Sequence, residues 1–83
     1  MLTAEQIRAA RGMLRLDQAN LARTAGVSVE TIKRLERMDG PLLAATGTTV
    51  QKIQSALESA GCVFIDGEYT GAGGPGVRLK GNP

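Results

Sequence analysis

Eighty-three residues suffice for one small hydrophobic core and exclude a second, so the chain reads as a single domain of modest stability unless a partner adds to it. One Tyr, one Phe and no Trp leave that core to aliphatic and alanine side chains, while no His and a single Cys exclude a zinc site and an intramolecular disulfide. The formal charge of +2 is a weak signal, but residues 1 to 38 carry Arg8, Arg11, Arg15, Arg23, Lys33, Arg34 and Arg37 against Glu5, Asp17, Glu30 and Glu36, with the remainder near neutral, so the positive excess sits in the first half.

Thr3-Ala4-Glu5-Gln6 has the form of a capping box and opens a helix to about Leu14, with Ile7, Ala10 and Leu14 as its inner stripe. Arg8, Arg11 and Arg15 fall along another face or the helix end, where they meet either phosphates or water. Asp17 then caps a second helix after a short loop at Leu16.

From Gln18 to Glu36 the residues follow a stricter grammar. Ala22 is small where a following helix crosses, Gly26 suits the positive φ that ends a helix, and Ser28 is a good N-cap for the next one. Leu21, Val27, Ile32 and Leu35 give the two short helices a common core at a crossing of about 90–120°. Val29, Glu30, Lys33 and Arg34 remain on the outward side of the second helix, a face suited to a major groove.

Gln18-Ala19-x-Leu21-Ala22-x-x-x-Gly26-Val27-Ser28-x-x-Thr31-Ile32-x-x-Leu35-Glu36 resembles the Xre/Cro-type helix-turn-helix family of phage-repressor-like bacterial regulators. The likeness runs from about Thr3 to Ala60. It implies a compact four- or five-helix DNA-binding domain, a phosphate contact for Gln18, and base reading from Val29, Glu30, Lys33 and Arg34. The pattern departs after Glu36, where Arg37-Met38-Asp39-Gly40 replaces a shorter Glu-x-Gly ending. Chemically, Lys33 and Arg34 suit guanine or phosphate, Glu30 suits a cytosine amino group, and Val29 or the Thr31 methyl suits a thymine methyl. Arg11, Arg15, Arg23, Ser28 and Arg37 complete the set of phosphate candidates with Gln18.

Asp39-Gly40-Pro41 is turn chemistry, and Leu42 to Gly47 reads as a loop over the core. Thr48-Thr49-Val50-Gln51 offers a second capping box for a helix whose inner stripe is Val50, Ile53, Leu57 and Ala60 and which stops at Gly61. Lys52 and the amides of Thr46, Gly47 and Thr48 are candidates for a phosphate, with solvent exposure the plainer fate of Lys52.

The chain then changes character. Cys62-Val63-Phe64-Ile65 is a short apolar run, Asp66-Gly67 a turn signal, Gly71 to Gly76 a glycine-rich stretch, and Val77-Arg78-Leu79-Lys80 alternates apolar and charged. Two strands joined by a loop fit these residues. No strand-to-helix context supports a phosphate cradle at Gly71 to Gly76. A lone hairpin is marginal in water and leaves edges exposed. Short bacterial regulators with a similar tail add a β element to the helical domain, and here Cys62, Val63, Phe64, Ile65, Val77 and Leu79 are the candidate homodimer interface. The same strands folded back on their own helices, or bound to another protein, are the alternatives. Cys62 itself reads as a small buried hydrophobe rather than a redox switch.

The expectation is a mainly α protein: residues 1–61 as a helix-turn-helix DNA-binding domain and residues 62–83 as a β tail for dimerisation. Its partner is double-stranded DNA, read in the major groove by a dimeric transcriptional regulator, a repressor by default, on an inverted-repeat operator. No acid/base constellation is recognisable among the carboxylates, so neither an enzyme nor a cofactor is expected. With no run of 18 apolar residues and no leader-like segment, a soluble cytoplasmic protein is expected. The competing class is a protein-interaction module, such as an antitoxin or anti-activator that sequesters a partner. A nonspecific nucleoid protein fits the low net charge poorly.

Overall fold

The computed structural model describes residues 2–42, 47–65 and 73–81, comprising four helices and a two-stranded antiparallel sheet: α1 (Ala4–Leu14), α2 (Gln18–Ala25), α3 (Val29–Glu36), α4 (Gly47–Ala60), β1 (Cys62–Ile65) and β2 (Gly76–Leu79). The loop expected over Leu42–Gly47 at residues 43–46, the Asp66-Gly67 turn, and the glycine-rich stretch at Gly71 and Ala72 lie outside the described residues.

Local chemistry sets where the helices begin and end. Thr3 Oγ1 accepts from the Gln6 amide at 3.1 Å while Gln6 Oε1 accepts from the Thr3 amide at 2.9 Å, closing the capping box of α1. Asp17 accepts from the Asn20 amide at 2.7 Å and Ser28 from the Thr31 amide at 3.1 Å, which caps α2 and α3 in turn. Gly26 ends α2 at φ 74°, a left-handed conformation that costs an L-residue about 1–2 kcal/mol. Arg15 ends α1 at φ 58° without that dispensation.

Ile7 and Ala10 of α1, Leu21, Ala22 and Ala25 of α2, Ile32 and Leu35 of α3, and Ile53, Ala56 and Leu57 of α4 meet in one core with Leu2, Leu42 and Cys62. Leu14 and Val50, expected inside, pack at its margin. Ala60 is exposed and Ala56 is buried in its place. α4 starts at Gly47 rather than after a cap at Thr48, so the expected box falls inside the helix. No helix among the described residues is long and apolar enough to cross a membrane.

The hairpin folds back on its own helices. Cys62 pairs with Leu79 and Ile65 with Gly76, and the Gln6 side chain donates from Nε2 to the carbonyls of both Ile65 (3.2 Å) and Gly76 (2.9 Å). Phe64 and Val77, opposite each other on the inner face, pack against the helical core. Cys62 is fully enclosed and its thiol donates to the Leu57 carbonyl at 3.3 Å; burial, with the Glu58 charge behind it, pushes the thiol pKa up. This corrects the expectation that placed Cys62 at a dimer interface: its side chain has no surface left for a second chain.

Candidate nucleic-acid interface

α3 is the most divided of the helices. Ile32 and Leu35 are fully buried against α1 and α2, and Glu30, Lys33, Arg34 and Arg37, spaced three and four residues apart, are exposed together. Val29 and Thr31 flank this face half-buried; Val29 packs at the core margin, and the Thr31 hydroxyl lies 2.9 Å from that of Ser28. Glu30 and Lys33 approach only to 4.0 Å, and among the described residues Arg34 and Arg37 have no acidic partner within salt-bridge distance. The exposed face of α3 therefore presents two arginines, Arg34 and Arg37, that no acidic side chain among the described residues neutralises.

The other cations divide into free and committed groups. Arg15 is exposed at the end of α1, and Arg23 is exposed with one bond to Asn20 at 2.9 Å. Arg11, a phosphate candidate from the sequence, is committed internally: its Nε and Nη2 hold the two carboxylate oxygens of Glu36 at 2.7 and 2.8 Å, and Nη1 donates to the Leu16 carbonyl at 3.1 Å. Gln18, the other such candidate on the inner side, donates to Glu36 Oε1 at 3.1 Å. Arg8 donates to the Glu36 backbone carbonyl.

Glu36, read in the sequence as an acidic charge and as the last residue of the Gln18–Glu36 pattern, is thus where three helices are tied together. Its side chain is 5% exposed. Burial pushes its carboxyl pKa up, but hydrogen bonds from Arg11 and Gln18 and the charges of Arg11 and Arg8 outweigh that and hold it below the ordinary carboxylate range. The same hydrogen bond to Glu36, joined by the charges of Glu36 and Asp17, raises Arg11 against the opposing effect of burial. A sequence signal existed: Glu36 follows Ile32 by four residues and Arg11 follows Ile7 by four, so each charge stands in line with a buried side chain.

No protein-family model and no curated protein matches this chain. The functional reading accordingly rests on the geometry and on the pattern from Gln18 to Glu36. Among the described residues no cluster of three or more His, Cys, Asp or Glu is placed to hold a metal. Of the residues expected to face DNA, Glu30, Lys33, Arg34, Arg37, Arg15, Arg23 and Ser28 are exposed, Val29 and Thr31 are half-buried, and Arg11 and Gln18 are joined to Glu36.

Proposed function

We propose that α2 and α3 form a helix-turn-helix and that the chain is a sequence-specific, dimeric DNA-binding regulator. The observation that carries the reading is the exposed face of α3, with Lys33, Arg34 and Arg37 on one side of a helix whose other side is locked into the core. A short helix so anchored presents its side chains to base edges in a fixed register, and Arg34 and Arg37, without an acidic partner among the described residues, are available to phosphates and guanine.

Arg15 adds a second support. A non-glycine residue held at φ 58° sits where glycine is more comfortable, and retained strain of this kind is common where the side chain has a task. Arg15 suits a phosphate beside the α2 start. Repression by occluding a promoter is the default mode, with two recognition helices reading half-sites about 34 Å apart.

The test is Arg34→Ala on a duplex the protein selects. A guanine contact predicts a loss of about 1–3 kcal/mol together with relaxed preference at one base pair. An unchanged affinity and an unchanged base preference would remove Arg34 from the interface and with it the main support for this reading.

A further inference from the structure

The antiparallel register of the hairpin decides which way each backbone group points. The Lys80 amide donates to the Gly61 carbonyl at 2.8 Å, so the pairs opposite each other alternate from there: Val63 with Arg78 and Ile65 with Gly76 exchange hydrogen bonds, whereas Cys62 with Leu79 and Phe64 with Val77 do not. Val77 and Leu79 therefore turn their N–H and C=O groups away from β1. Among the described residues none of the backbone bonds outside the strands uses them. The opposite edge is closed at Cys62, which has no exposure, while Leu79 is 49% exposed. Among the described residues β2 is the more open edge of the sheet, and an open edge is a template for another strand.

We infer that β2 pairs with β2 of a second copy across a two-fold axis at Val77, joining the two hairpins into one four-stranded sheet. This rests on the dimeric reading and specifies its geometry. Two antiparallel alignments overlap three residues of each strand and turn the outward-pointing groups of Val77 and Leu79 toward the second copy, with axes at Val77 or Arg78. An axis at Arg78 sets Arg78 opposite its own copy, and like charges directly opposed destabilise a strand pair. With the axis at Val77, Arg78 faces glycine at 76, Val77 faces Val77, and the half-exposed Leu79 covers Pro75, itself exposed in one chain. Pro75 accepts there from the Leu79 amide and, having no N–H, leaves the Leu79 carbonyl to water, in keeping with proline at a strand start. Of the two, only this alignment opposes no like charges.

Single-cysteine variants separate the alignments, because opposite residues in a hydrogen-bonded pair lie about 5.5 Å apart at Cα, within disulfide reach. Because Cys62 faces Leu79 across the hairpin and would capture a cysteine placed there, Val77→Cys, Arg78→Cys and Leu79→Cys are made in a Cys62→Ala background and oxidised with copper–phenanthroline, and each is sedimented without oxidant. The inference expects a sedimenting dimer and a disulfide-linked dimer as the main product of Val77→Cys alone. A dimer that cross-links at 78 or 79, or at none of the three, overturns the pairing and leaves the dimeric reading standing. A chain that sediments as a monomer overturns both, whatever cross-links. Leu79→Lys, at a side chain already half in water, keeps the helical fold and weakens the dimer at least tenfold; an unchanged dimer constant also overturns the inference.

Discussion

Replacing Arg11 with alanine removes two hydrogen bonds of 2.7 and 2.8 Å from a carboxylate that is 5% exposed. Glu36 would keep only the Gln18 amide and the distant charge of Arg8. Breaking a buried pair from one side costs about 3–5 kcal/mol. Arg11 is itself 23% exposed, so water can reach part of the gap and about 2–4 kcal/mol is the better expectation. Stability for a domain of this size is about 4–12 kcal/mol at ordinary per-residue values, so the loss is a large fraction of the whole. Urea unfolding followed by circular dichroism measures it, and the Arg11→Met, Glu36→Leu double variant supplies the control. Replacing both partners with apolar side chains removes the uncompensated charge, so the double variant should be more stable than Arg11→Ala. A loss below about 1 kcal/mol for Arg11→Ala, or a double variant worse than the single one, would refute the role assigned to Glu36.

The depressed carboxyl of Glu36 predicts an acid dependence: its contribution is fully present above the ordinary value of 4.5 and is lost as pH falls through the lower folded value. Unfolding scans across that window should show a slope that Glu36→Gln flattens. Gln6→Ala removes two donors to the hairpin carbonyls as well as one half of the capping box, costing about 1–3 kcal/mol; hydrogen exchange at β1 and β2 should accelerate more than at α2. Arg15→Gly should relieve the left-handed conformation and leave stability unchanged or higher by about 1 kcal/mol, while DNA affinity falls at low salt.

Features decided within a few residues were legible before the fold was seen. Thr3, Asp17 and Ser28 are caps because each side chain reaches an amide three residues on, and Gly26 ends α2 because the chain there needs a positive φ. The inward positions of Ile32 and Leu35 follow from helical spacing. What stayed hidden was pairing across the chain. Arg11 and Glu36 are 25 residues apart, and in sequence an arginine committed to a carboxylate looks the same as one waiting for a phosphate. Gln6 was readable as a cap residue, but its second task at Ile65 and Gly76 depends on where the hairpin lands. The strands themselves were evident, the first from its short apolar run and the second from its alternation; that they fold back on α1 and enclose Cys62, rather than leaving it for another chain, was one of several arrangements that the sequence permits.

Selection from a pool of random duplexes, with the bound fraction sequenced and its affinity titrated at two salt concentrations, tests the central claim most directly. The account predicts enrichment of an inverted repeat with half-sites about one helical turn apart. It also predicts affinity at least about a thousandfold above that for a scrambled duplex and a loss of affinity with salt that reports its phosphate contacts. A pool that emerges without an enriched sequence, from a protein shown to be folded and at its native oligomeric state, would contradict it.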